Sequence, residues 1–173
     1  AGYSGGCRHV HYLHQTVMTD NETLRCRQSG VASWWTAAYS LPPYSDGTLQ
    51  AITRGLDRRR EIVSSPDGRS FLSERSGRIV REDQEEWAHV SAHPFGEGGV
   101  FGLALHPDFP KEPWLYICYT YHNGQEVMNR VSRIYDHNGH GAAEEVLLDG
   151  IQNNTVHGGC RIAFGADRAL YVY

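Results

Sequence analysis

The chain has 173 residues, 40% of them hydrophobic and 21% charged, with a formal net charge of −4. That is enough chain for one domain with a core of its own, and the acidic balance argues against a general nucleic-acid binder, which is usually basic. No apolar run approaches the roughly 18 residues a membrane helix needs.

Residues 1–46 form an N-terminal extension unlike the rest, with two cysteines, a histidine cluster, the Trp34-Trp35 pair and a Pro42-Pro43 break. No long amphipathic period runs through it, so it reads as irregular or short-stranded. In "CRHVHYLH", Cys7, His9 and His11 would share one face of a strand and, with His14 nearby, could hold Zn or Cu. The alternative is a disulfide from Cys7 to Cys26 with exposed histidines. Cys118 lies in an apolar run where a buried free thiol is equally compatible. Asn21-Glu22-Thr23 and Asn153-Asn154-Thr155 are glycosylation sequons. With the cysteines, they lean toward a secreted or periplasmic protein.

From residue 47 to 173 a pattern repeats. "EIVSSPDGRSFLSER" (61–75), "GLALHPDFPKEPWLYICYTY" (102–121) and "RIAFGADRALYVY" (161–173) each hold an apolar alternating stretch, an Asp-bearing turn and a second apolar stretch. Alternation is the strand signal, and Asp beside Gly or Pro is turn chemistry, so each copy predicts a β-hairpin. The Arg58-Arg59-Arg60 run ahead of the first copy reads as a solvated loop. "GRIVRED" (77–83), "NRVSRIYD" (129–136) and "EEVLLDG" (144–150) are further strand candidates. The aromatics from Trp114 to Tyr121 have strand spacing and read as core. His106-Pro107-Asp108 reads as a blade turn, and His137 and His140 flank another turn.

The turn aspartates Asp67, Asp108 and Asp167 fall about 41 and 59 residues apart. Periods of this size, with about four strands each, are those of propeller blades. The predicted class is all-β: a partial β-propeller with about three blades' worth of strands. A closed propeller has four to eight blades. The expectation is therefore a piece of a larger propeller, or a chain whose open edge is covered by another protein chain.

The segments "GEGGVFGLALHPDF", "NRVSRI", "EEVLLDGI" and "HGGCRIAFGADRALYV" occur in that order. Together they resemble the soluble quinoprotein sugar dehydrogenases, six-bladed propellers that oxidise aldoses with pyrroloquinoline quinone (PQQ) and calcium. The resemblance spans about residues 50–173 and implies a PQQ-dependent oxidation of an aldose sugar. It places His157 on the family's general base and Glu97 on a cofactor contact, while Arg161, at a strand start, reads as a cofactor-side residue or a surface charge. Cys160 stands where the family has a glycine, and Ala166 and Arg168 where its turn has Pro and Gly. The family draws its remaining cofactor contacts and its calcium ligands from later blades. Two other readings follow from the same propeller type. One is a non-catalytic secreted propeller resembling the Hedgehog-interacting protein, and the other a degenerate half-propeller serving as a structural subunit.

Overall fold

The computed structural model describes strands at residues 14–18, 22–27 and 48–54 by their backbone, and residues 58–154 and 158–173. The Cys7–Cys26 pairing, the Cys7/His9/His11/His14 metal reading, the Trp34-Trp35 pair, the Asn21 sequon and the His157 side chain all lie outside what is described. The chain divides into two compact units, Ala1–Gly55 and Leu56–Tyr173. In the first, β1 (His14–Met18), β2 (Glu22–Arg27) and β3 (Thr48–Arg54) form an antiparallel sheet in the order β1-β2-β3.

The second unit is built of antiparallel meanders. β4 (Arg59–Ser64), β5 (Ser70–Glu74), β6 (Arg78–Arg81) and β7 (Glu86–His89) make one four-stranded sheet in chain order. β8 (Val100–Leu105), β9 (Trp114–His122), β10 (Val127–His137) and β11 (His140–Gln152) make the next. β12 (Ile162–Phe164) and β13 (Leu170–Val172) form a third hairpin. Among the described residues there is no helix. This is the partial propeller that the sequence predicts: two complete blades and the opening hairpin of a third.

All three predicted hairpins form, each with its aspartate in the turn. Asp67 accepts from the Arg69 amide (3.2 Å) and Asp167 from the Ala169 amide (3.1 Å), the Asx geometry that closes such loops. In the middle copy His106 Nδ1 accepts from the Asp108 amide at 3.2 Å, so the histidine serves the turn. His137 and His140 face each other across a two-residue hairpin whose Asn138 and Gly139 both have positive φ (53° and 85°). That is the type I′ pattern the Asn-Gly pair favours. The short strand β7 has no counterpart among the strands predicted from the sequence.

The arginine run differs from its solvated-loop reading. Arg59 and Arg60 open β4, and the Arg60 guanidinium lies over the Phe101 ring at 5.8 Å. The ring and a hydrogen bond to the Glu97 carbonyl hold its side chain, although Arg60 itself falls at the register shift between Arg59 and Glu61.

The inner strands of successive blades, β4, β8 and β12, stand side by side, and the outer strands β7 and β11 also meet. Gly102 of β8 marks the closest approach: a Cβ there would lie 3.0 Å from the Cys160 carbonyl oxygen and 3.1 Å from the Ile162 nitrogen. Between the two complete blades sits an apolar cluster of Phe71, Ile79, Trp87, Leu103, Phe109, Ile117 and Tyr119 with their neighbours. Its aromatic pairs Phe71–Trp87 and Phe71–Phe109 meet edge to face. A second cluster, with Ala104, Tyr116, Val131, Cys118, Cys160 and Ile162, joins β8–β10 to the third hairpin.

Cys118 is not a free thiol. It is bonded to Cys160, 42 residues on, with the two Cα atoms 6.0 Å apart. Cys160 thereby ties the segment entering β12 to the central strand β9.

Candidate functional site

Because each blade is the same meander, its inner strand always enters from the same end. The segments leading into β4, β8 and β12 therefore gather on one rim. These segments are Arg58, residues 93–99 and residues 158–161, so the topology sets the expected site residues Glu97 and Arg161 beside the inner strands.

The loop 93–99 is fixed by its own chemistry. Gly96 and Gly99 take positive φ (55° and 123°), and a Cβ at Gly99 would lie 2.4 Å from the Arg75 carbonyl oxygen. Only glycine fits that position. Both ends of the loop bond to one residue of β9: the His93 amide donates to the Thr120 carbonyl (2.7 Å), and the Thr120 amide donates to the Gly99 carbonyl (2.9 Å). Two arginines hold the middle. Arg75 donates from Nε to the Gly98 carbonyl (2.7 Å) and from Nη2 to those of Pro94 (3.1 Å) and Gly96. Arg60 donates to the Glu97 carbonyl at 3.0 Å. The loop thus presents the Glu97 side chain on an exposed turn whose backbone is held on several sides. Burial and the neighbouring Arg75 lower the Arg60 pKa, while Glu97 works in the opposite direction. A shallow cavity lined by Arg58, Arg75, Ser76 and Pro94 opens beside this cluster.

Arg161 is exposed, and its guanidinium pairs with Glu61 Oε2 on β4 at 3.0 Å. Its backbone makes the closing pair of the third hairpin with Tyr173, at 2.8 and 2.9 Å. Burial pushes the Glu61 carboxyl up, and the Arg161 charge pulls it back down. The ion pair links the first blade to the third hairpin at the start of their inner strands.

Gly158, the residue after His157, is buried and tightly packed. A Cβ on it would lie 2.3 Å from Asn153 Oδ1 and 2.9 Å from the Asn154 carbonyl oxygen. Its carbonyl accepts from Asn129 Nδ2 at 3.2 Å. By contrast, a Cβ on Gly159 would meet open space. The Asn153 Oδ1 atom is buried, so this sequon asparagine packs inward against Gly158.

The structure sets Glu97 and Arg161 on one rim, together with the residue that follows His157. Sequence reasoning missed Arg60 and Arg75, which hold the loop, and Thr120 and Asn129 beneath it. The only signal for the latter two was a polar residue inside each of two apolar strands.

With this geometry in view, the comparisons with known proteins are specific. The profile of the glucose/sorbosone dehydrogenase family matches residues 56–173. The chain belongs to this family. It is 27% identical over 139 residues to quinoprotein glucose dehydrogenase B of Acinetobacter calcoaceticus, covering 70% of this chain and 29% of that protein. Among solved structures it resembles an oxidoreductase from Thermus thermophilus described as a glucose dehydrogenase, with 38% identity and a TM-score of 0.63. That match covers 70% of this chain and 38% of that one. It also resembles the PQQ-bound aldose sugar dehydrogenase of Streptomyces coelicolor, with 30% identity and a TM-score of 0.62, covering 70% of this chain and 39% of that one. The chain spans about a third of the length of these relatives. Its matched part is the blade-forming unit.

Proposed function

We propose that this chain supplies the first blades of a sugar oxidoreductase that uses PQQ to oxidise an aldose. The observation that carries this reading is the shared rim. The loop bearing Glu97, the segment that follows His157, and Arg161 all lead into adjacent inner strands of a chain that belongs to the glucose/sorbosone dehydrogenase family.

The residues present fit a polyanionic quinone in part. Arg60 and Arg161 lie at the entry to two of the inner strands, and guanidinium groups pair well with carboxylates. When bound, the quinone supplies the acceptor for the two electrons and the hydrogen leaving the sugar's C1. The chain's own task is orientation and proton handling. His157 suits the role of base for the C1 hydroxyl proton, because an imidazole with an ordinary pKa of about 6.5 is largely neutral at pH 7. Glu97 is held out on its clamped turn as a polar contact. Arg161, steadied by Glu61, offers a charge-assisted donor. Calcium, implied by the resemblance, needs an oxygen-rich set. Among the described residues no three His, Cys, Asp or Glu side chains gather for a metal. The disulfide between Cys118 and Cys160 supports an oxidising, extracytoplasmic location.

The test is a titration of the purified protein with PQQ in the presence of calcium, following the cofactor absorbance with His157→Ala alongside. Saturable binding, with aldose-dependent reduction lost in the variant, is the expected result. Failure to bind PQQ at any concentration would exclude catalysis by these residues alone and turn the search to further blades or a protein partner that completes the site.

A further inference from the structure

A buried polar link joins the two segments that carry the site. Thr120 and Asn129 are directly paired neighbours on β9 and β10, and they are 0% and 1% exposed. Thr120 Oγ1 donates to Asn129 Oδ1 at 2.9 Å. Asn129 Nδ2 donates to the Gly158 carbonyl at 3.2 Å. The Thr120 backbone bonds both ends of the Glu97 loop, at His93 and Gly99. Its hydroxyl also lies 3.1 Å from where a Cβ on Gly98 would stand. One residue pair therefore touches the Glu97 loop on one side and the residue after His157 on the other.

A propeller interior has little use for a polar pair. Apolar residues at both positions would fill the sheet without the need for mutual satisfaction. Ser132, also on β10 and also fully buried, shows the contrast, because its hydroxyl has no hydrogen-bond partner. At Asn129 both hydrogen bonds of the carboxamide are directional, and each leads to one of the two site segments. The donor sense is fixed as well. A backbone carbonyl at Gly158 requires a donor, so the amide nitrogen must face it and the oxygen must face Thr120.

We infer that Thr120 and Asn129 are positioning residues that hold the Glu97 loop and the Gly158 segment in one fixed relation, so that the two sides of the site are set together. The inference rests on the proposed function for its purpose, but its geometry stands on described residues alone. Asn129→Asp keeps the shape and turns the donor facing Gly158 into an acceptor, which breaks that contact. Thr120→Val keeps the shape and leaves Asn129 Oδ1 without its donor, whereas Thr120→Ser preserves the hydroxyl.

The experiment is amide hydrogen exchange, read by mass spectrometry on the full chain, for the wild type, these three variants and Ser132→Ala. In Asn129→Asp and Thr120→Val, exchange in peptides covering 93–99 and 158–161 is expected to quicken about tenfold relative to the cores of β5 and β6. Thr120→Ser and Ser132→Ala are expected to match the wild type. PQQ affinity should weaken in step with the loop exchange across the series. Uniform acceleration over all strands, or unchanged exchange at 158–161 in Asn129→Asp, would overturn the inference and leave the pair as ordinary core. If the wild type takes up no PQQ, catalysis by these residues alone is excluded, while the exchange pattern still decides whether the link exists.

Discussion

The two junctions of the blade-forming unit are built by different means. Between the first and second blades, a large aromatic cluster is closed at the outer side by a buried carboxylate. Asp136 pairs with Arg69 and accepts from Trp87 Nε1 (3.3 Å) and the Gly139 amide (2.9 Å). Arg69 itself stacks over Phe71 and Phe109. Between the second blade and the third hairpin the apolar cluster is smaller, β13 is largely exposed, and the covalent bond Cys118–Cys160 adds what packing does not. Turn-to-turn contact helps there too: Arg168, with a positive φ of 67°, pairs with Asp108 of the preceding blade. The equivalent turn of the first blade has Gly68 at φ 92°, which adopts that conformation without strain. Where area is scarce, cross-links and ion pairs substitute for it.

The most damaging way to break this contrast is to remove the disulfide. Cys118→Ala with Cys160→Ala should lower unfolding free energy by about 4 kcal/mol on the loop-entropy account of a closed loop of this size. Denaturant unfolding should show the reduced wild type close to the double variant, with the third hairpin losing protection first. At the other junction, Asp136→Ala leaves the Trp87 N–H and the Gly139 amide without their acceptor, while Arg69 keeps its pair with Asp67. The substitution should cost about 2–3 kcal/mol, measured by the same unfolding curves, because the Arg69–Asp136 pair it removes is only partly screened. Equal losses in the two experiments' third-hairpin signal would mean the junctions are not distinct.

A smaller effect sharpens the first junction. Tyr119 donates to Glu144 Oε1 at 2.6 Å, and burial, reinforced by that carboxylate, pushes its pKa up to about 12 from 10.0. A raised pKa means the contribution is complete below about pH 10 and is lost as pH rises through about 12. Tyr119→Phe should cost about 1 kcal/mol at neutral pH. The gap between wild type and variant should close over that alkaline window, followed by thermal unfolding at stepped pH. The smallest effect is expected from Arg161→Gln. With Arg161 63% exposed, its pair with Glu61 should add under about 0.5 kcal/mol and fade with salt. The same variant should weaken PQQ binding if Arg161 faces the cofactor.

Much of the blade pattern was legible in the sequence, because Asp-bearing turns between alternating runs are a local signal. The strands around Arg78, Asn129 and Glu144 were legible for the same reason. β7 was not, since four residues with a single buried tryptophan give no period to count. The start of β4 was hidden by three arginines that read as loop until Phe101 and the Glu97 carbonyl are set beside Arg60. For the site, Glu97, Arg161 and His157 came from a resemblance of motifs. Thr120 and Asn129 could not be found that way, because a polar residue in a strand ordinarily faces water and only cross-blade distance shows otherwise. The Cys118–Cys160 bond was equally hidden, since four cysteines allow three pairings and spacing does not choose among them.

The long outer strand β11 has one more consequence. Among the described residues its far edge carries no hydrogen-bonded neighbour, and Val146, Leu147 and Leu148 are all more than 40% exposed on it. Such an edge is a template for another strand. Register shifts at Asn129/Val131, Val131/Ser132 and Ile134/Asp136 bend its pairing with β10, and Glu145 and Asp149 sit along it, bonded to Arg133 and Arg130. Charge and curvature are the features that disfavour strand pairing at such an edge, so neutralising Glu145 and Asp149 together is expected to increase self-association, measured by light scattering at stepped protein concentration.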